Sequence, residues 1–337
     1  MKKTTLNEVS EYTQLSKTTI SRVLNGKSRE FRINRHTQER VIAAAQELNY
    51  KPQLIAQLLH KKPMRTIGIV MPNLSNPFFA SLASAISVEA KKHELFVMLF
   101  DTQEDPVQEE SALNKMLEYR VDGIVIVPCG RDARKLEKIN RTIPVVQVDR
   151  YFEESDLSYV STNNFRGAYE AMSLLLNSGH RNVICIQGPT FSVTNRERIR
   201  GCRKAIEDYG EQCSLLVLGN DFSIQNGYIE GQLALSRRPR PTAIFAMSNT
   251  IMLGTMRAIK EHHLVIPDDI SLLSFDDNIY IDYLNPPVTR VAQPVSSMGI
   301  AAIKMLVNSI QQEGELHSTM LLTPSIINRN SIKILNP

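Results

Sequence analysis

The chain has 337 residues, 42% of them apolar, with 39 Lys and Arg against 35 Asp and Glu and only four cysteines. That length exceeds one small domain and supports a sizeable core, while the longest apolar runs, at residues 67–71 and 124–127, fall far short of the ~20 residues that cross a bilayer. No apolar stretch follows Met1-Lys2-Lys3, and Cys129, Cys185, Cys202 and Cys213 are scattered without a CxxC, so the expectation is a cytoplasmic protein with reduced thiols and no membrane partner.

Charge is uneven along the chain. Residues 1–65 hold 13 Lys and Arg against 5 Asp and Glu, and the remainder holds 26 against 30. A basic head thus precedes a mildly acidic body, and concentrated positive charge attracts polyphosphate surfaces such as DNA. In the head, Leu6 and Val9 open an apolar helix face. Ser16 can cap a second helix carrying Ile20, Val23 and Leu24, which Asn25-Gly26 would stop. Asn34 can cap a third, reaching about Asn49, with Val41, Ile42, Ala45 and Leu48 at helical spacing. Tyr50-Lys51-Pro52 breaks the pattern, and a short segment at 53–60 leads to the linker Lys61-Lys62-Pro63.

After Arg65, apolar runs alternate with amphipathic segments. Strands are expected at 66–71, 95–100, 123–127, 145–148 and 159–161, then at 183–187, 215–218, 243–247, 270–275 and 288–291. Continuous apolar strands separated by helices indicate parallel sheets covered on both faces. Two successive sets indicate two doubly wound lobes facing each other across a cleft, where such folds bind ligands. A last short strand is expected after Thr323.

The sharpest local signal is Leu6-Asn7-Glu8-Val9-Ser10 followed by residues 15–25, from Leu15-Ser16-Lys17 to Arg22-Val23-Leu24-Asn25. It fits a helix, a tight turn and a second helix whose first turn is polar, as a recognition helix in the major groove requires. Lys17 can donate to guanine, Thr18 can reach a base edge or a thymine methyl, and Arg22 can make a paired guanine contact or grip phosphate. Ser16, Thr19, Ser21 and Asn25 suit phosphate oxygens and caps. Ser16 to Thr19 alone would equally be a plain helix cap.

With these residues the chain resembles the LacI/GalR (lactose-repressor/galactose-repressor) family. Further matching runs, in order, include Leu48-Asn49-Tyr50-Lys51-Pro52, Asn76-Pro77-Phe78-Phe79, Asp149-Arg150, Arg198 with Gly201, Ile266-Pro267-Asp268-Asp269 and Phe275-Asp276-Asp277. The resemblance covers nearly the whole chain. It departs at Thr13-Gln14-Leu15-Ser16, where the family usually has Ala-Gly before Val-Ser, and in a longer, more basic loop at 27–32.

The resemblance implies an α/β protein: an all-α helix-turn-helix head (1–51), a hinge helix and linker (52–65), and an effector-binding and dimerisation body (66–337). The body would resemble periplasmic binding proteins, with one subdomain at about 66–163 plus 294–323 and the other at about 164–293 plus 324–337. It further implies a homodimeric, allosteric transcription regulator, expected to be a repressor, that binds pseudo-palindromic double-stranded operator DNA and a sugar or sugar-phosphate effector. Thr5 and Leu6 join the DNA-binding residues, as do Ile55, Ala56, Gln57 and Leu59 of a hinge entering the minor groove, with Leu59 the wedge; Leu54, Ile55, Leu58 and Leu59 can alternatively dock the head on the body. The implied effector site comprises Asn76, Phe78, Phe79, Asn163, Thr194, Arg198, Phe222, Ser248, Asp276 and Gln293. Phe79 can equally be core, and Asp276 can cap a helix or pair with Arg198. No cofactor or metal is expected. An enzyme is the competing class, but no GxGxxG follows the first strand, and no P-loop, HExxH or G-x-S-x-G is present. His262 and His263 are adjacent, so their rings diverge on a helix.

Overall fold

The structure, a computed structural model, describes residues 4–24, 28–48, 50, 66–210, 213–311 and 317–335. The chain divides into two compact units, Met1–Met64 and Arg65–Pro337.

The head contains α1 (Leu6–Thr13), α2 (Lys17–Leu24) and α3 (Arg35–Glu47). Helices of eight residues do not stand alone in water, so each depends on its caps and on packing. Thr5 and Glu8 form a reciprocal capping box at α1. Ser16 Oγ accepts from Thr19 N at 3.2 Å, and Asn34 Oδ1 accepts from Thr37 N at 2.7 Å. Gln14, standing where the family usually has glycine, adopts the left-handed conformation that the turn needs, with φ of 49°. Val9, Ile20, Val23, Val41 and Ala44 form the head core, with Leu6, Leu15, Leu24, Ile33, Leu48 and Tyr50 packed around it.

The body has two six-stranded sheets. The first contains β1 (Thr66–Met71), β2 (Phe96–Asp101), β3 (Gly123–Ile126), β4 (Val145–Val148), β5 (Ser158–Thr162) and β11 (Thr319–Leu322). The second contains β6 (Asn182–Ile186), β7 (Ser214–Leu218), β8 (Ala243–Ala246), β9 (Ser271–Phe275), β10 (Thr289–Ala292) and β12 (Ser325–Ile327). The strand orders correspond, β2-β1-β3-β4-β5-β11 against β7-β6-β8-β9-β10-β12. All pairs are parallel except β10 with β12. β1, β3, β4, β8 and β9 are buried along their whole length, as parallel strands covered on both faces must be. The covering helices are α4 (Pro77–Lys92), α5 (Pro106–Glu118) and α6 (Arg134–Asn140), then α7 (Asn164–Asn177), α8 (Val193–Tyr209), α9 (Ile224–Leu235), α10 (Asn249–Glu261) and α11 (Val295–Gln311).

The ten strands given ranges from the sequence all form, with no end shifted by more than one residue, and the short last strand expected after Thr323 forms as β12. β11 was not expected: its residues Thr319, Met320 and Leu321 are exposed at a sheet edge, and an edge strand lacks the two-sided apolar signature. The chain passes between the lobes beside Asn163, at Gln293-Pro294 and at Thr323-Pro324.

Helices α9 and α10 pack at unusually short range. A Cβ on Gly254 would collide with Ile224 O and Tyr228 N, and one on Gly227 with the Ile251 backbone. Because these contacts are backbone, relief requires moving a helix. Gly254→Ala is therefore expected to destabilise the body by about 1–3 kcal/mol despite alanine's better helix propensity, read as a lower urea midpoint by circular dichroism. An unchanged or raised midpoint would contradict this close packing.

Candidate functional site

The head presents one polar face of α2. Lys17 and Thr18 are exposed, Ser21 and Arg22 are half-buried one turn further on, and Ile20 and Val23 point into the core. Residues 17 and 21, and 18 and 22, are four apart and stack on the same side. Thr19 is half-buried and its hydroxyl lies 2.9 Å from Ser16 Oγ. Thr5 is held in the α1 cap, and Leu6 is partly buried against the head core. Asn25 and the hinge residues Ile55, Ala56, Gln57 and Leu59 lie outside the described residues.

In the body, the carboxyl ends of the strands converge on a cavity lined by Asn76, Phe78, Phe79, Asp149, Arg150, Thr194, Arg198, Phe222, Ser248, Asp276 and Gln293. The turns and helices that follow the strands deliver these side chains. After β1, Asn76 caps α4 by accepting from Phe78 N at 3.0 Å, and this fixes the start of the helix that carries both phenylalanines. Their rings meet edge to face with centroids 5.2 Å apart. Phe222 follows β7 and lies so close to Gly188 that a Cβ there would strike the ring. Ser248 follows β8 and caps α10, accepting from Ile251 N at 3.2 Å.

Two aspartates face the cavity from equivalent places. Asp149 follows β4 and Asp276 follows β9, and both adopt left-handed backbone, with φ of 64° and 74°. Aspartate is one of the few residues that visits this region readily. Asp276 accepts from Gln293 Nε2 at 2.7 Å and Asn249 N at 3.3 Å, with Arg198 Nη2 3.9 Å away. Gln293 in turn accepts from Thr162 Oγ1 at 2.6 Å, so one amide bridges the end of β5 in one lobe to Asp276 in the other. Arg198 donates through Nε to Asn164 Oδ1 at 2.8 Å and through Nη1 to Met247 O at 2.5 Å, with its guanidinium 3.7 Å from the Phe275 ring centroid. Arg150 makes a paired contact with Glu104, both bonds 2.7 Å.

Asp149 is the least compensated of these charges. Its Oδ1 is buried without a hydrogen-bond partner among the described residues, as is Arg150 Nε. Burial pushes the Asp149 carboxyl up to about 6, against the opposing pull of Arg198 and Arg150. Burial likewise lowers the Arg198 guanidinium.

Nine of the ten residues expected at the effector site line this cavity. Asn163 does not: it stands at the crossing from β5 to α7, where its Oδ1 accepts from Arg166 N at 2.9 Å and so caps the helix. A short polar residue between strand and helix reads as a cap and as a ligand group alike. Asp149 and Arg150 line the cavity but were not among the expected site residues, although their acid–base pair at the end of an apolar run was visible. Orphaned acceptors and donors beside aromatic walls suit a ring with several hydroxyls. Among the described residues no group of His, Cys, Asp and Glu is arranged to hold a metal ion.

Residues 64–331 match the family of periplasmic binding proteins and the sugar binding domain of the LacI family, and residues 5–53 match bacterial regulatory proteins of the lacI family. A ribose operon repressor of Haemophilus influenzae is 29% identical over 97% of this chain and 98% of its own. The lac repressor dimer, solved on operator DNA with an anti-inducer, superposes with a TM-score of 0.84 at 26% identity, covering 98% of this chain and all of that one. A LacI family regulator of Enterococcus faecium with bound ribose superposes with a TM-score of 0.73 at 27% identity, covering 80% of this chain and all of that one. The chain belongs to the LacI family of bacterial regulatory proteins: it is a DNA-binding transcription regulator, not an enzyme, whose body binds a small-molecule effector.

Proposed function

We propose that this regulator is a cytoplasmic repressor, dimeric on a two-fold-related operator, and that its effector is a single uncharged five-carbon sugar of the ribose type. The observation that carries the ligand reading is the cavity's pair of left-handed aspartates, each beside a guanidinium, between Phe78, Phe79 and Phe222. The carboxylates accept from vicinal hydroxyls, the guanidinium edges donate, and the rings cover the apolar face of the sugar. A phosphate group is disfavoured, because Asp149 and Asp276 both line the cavity and would meet its negative charge with their own. The relative named as a ribose operon repressor and the similar regulator with bound ribose support the same class.

On the DNA side, Lys17, Thr18 and Arg22 would read bases from the exposed face of α2, with Thr5, Leu6, Ser16, Thr19, Ser21 and Asn25 holding phosphate and helix ends. Ile55, Ala56, Gln57 and Leu59 would form the minor-groove hinge. A second copy of the chain suits the body's edge: β2 leaves Phe96 and Leu99 exposed beside Val88, and Ile279 and Tyr283 protrude from the turn after β9. An uncovered apolar edge strand is a liability that dimerisation removes. The effector acts only through differential affinity: a 100-fold change in operator binding needs about 2.7 kcal/mol of coupling, and operator must change the affinity for the sugar by the same factor in the same direction.

Isothermal titration of the full chain with D-ribose tests the ligand class, and no binding by any pentose at millimolar concentration would sink it. Asp276→Asn removes a charge-assisted acceptor, so ribose affinity should fall about 10- to 100-fold with operator affinity kept. Asp149 supplies a pH test. Its folded value, about 6, lies above the ordinary 3.8. The native state therefore holds the proton more tightly, and this group's destabilising effect is present above pH 6 and fades as the pH falls toward 4. The gain in melting temperature from pH 7.5 to pH 5 should accordingly be larger in the wild type than in Asp149→Asn. Equal gains would contradict the raised value.

A further inference from the structure

The loop that precedes α3 carries an aromatic ring that the head core does not use. The loop is ordered by its ends. Ser28 is buried and its carbonyl accepts from Ile33 N at 2.9 Å, Arg32 N donates to Arg29 O at 3.3 Å, and Ile33 packs on the core. Arg32 turns the chain with a φ of 48°. Between these anchors Phe31 is 39% exposed and lies outside the core cluster. Its ring lies under the side chain of Arg22, with the guanidinium carbon 3.7 Å from the ring centroid.

We infer that Phe31 is a positioning residue for sequence recognition, a platform that holds the Arg22 guanidinium in place for a paired contact with a base. The inference rests on the proposed base-reading role of Arg22. A guanidinium lying on an aromatic ring uses its face for the attraction and keeps its in-plane N–H donors free. Those in-plane donors are the ones that a guanine O6/N7 contact requires. A free arginine has many rotamers to lose on binding, and stacking removes that loss before DNA arrives. Phe31 lies outside the head core and is 39% exposed, so its burial contributes less to stability than that of a core ring. The platform favours one orientation of one side chain. It should therefore strengthen binding to the correct sequence and leave general phosphate attraction unchanged.

The test uses the full chain and two duplexes: one enriched from a random pool by the wild-type protein, and a shuffled duplex of the same composition. Fluorescence anisotropy gives the affinities. Arg22→Ala should lose about 30-fold on the enriched duplex. Phe31→Ala and Phe31→Leu should each lose about fivefold on it, the scale of an exposed cation–π contact. Phe31→Tyr, which keeps the ring face, should restore binding to within about twofold. None of the Phe31 variants should change affinity for the shuffled duplex, and their melting temperatures should stay within about 3 °C of wild type. In the Arg22→Ala background, Phe31→Ala should cost nothing further. Wild-type binding by Arg22→Ala would remove the base-reading role itself. A weakened Arg22→Ala beside an unaffected Phe31→Ala would remove only the platform. The platform would also be overturned by wild-type binding of Phe31→Leu, by an equal loss on both duplexes, or by an undiminished loss in the Arg22→Ala background.

Discussion

A carboxylate withdrawn from water must be compensated by charge or hydrogen bonds, and the body of this protein confronts that requirement twice around one cleft. Asp276 meets it almost fully, with an amide donor, a backbone donor and a nearby guanidinium. Asp149 meets it only in part, and its affinity for a proton rises accordingly. Their equivalent places at the ends of β4 and β9 follow from two sheets wound in the same order. The crevice at the carboxyl ends of the strands is where such sheets bind ligands. The aromatic walls and the helix caps at Asn76 and Ser248 serve the same end, since they fix the cavity's surface around the two acids.

Much of this was legible in the amino-acid order. β1, β3, β4, β8 and β9 are buried on both faces, so they are mainly apolar runs, and the buried Gln147 of β4 and Ser274 of β9 do not hide the pattern. β11 escaped because an edge strand with exposed Met320 and Leu321 has no such run. Gln14 shows a further limit. The missing glycine left the turn's backbone open, and Gln14 adopts the left-handed conformation there, with φ of 49°, despite its long polar side chain. Asp149 and Arg150 were visible as a pair, but nothing local distinguishes a buried acid from a surface one. Asn163 is ambiguous for the complementary reason, since the capping role it has in the structure and a ligand role call for the same chemistry. The contact between Arg22 and Phe31 joins α2 to a loop and has no periodic signature.

The bridge from Thr162 through Gln293 to Asp276 gives the cleft a mechanical output. Gln293 sits on a segment where the chain passes between lobes, and Arg196 pairs with Glu153 across the cleft nearby. An effector bound at Asp276 would compete for one end of a chain of bonds whose other end holds β5, and so would link occupancy of the cleft to both lobes.

The crossings carry a consequence for synthesis. Each sheet recruits a strand from the far end of the chain: β11 completes the first lobe and β12 the second. A head built from residues before 65 can collapse while translation proceeds. Neither lobe can close its sheet until almost the entire polypeptide has left the ribosome. The DNA-reading part is therefore assembled early and the effector-binding part last, so a nascent chain can hold a folded head before a complete effector-binding body exists to govern it.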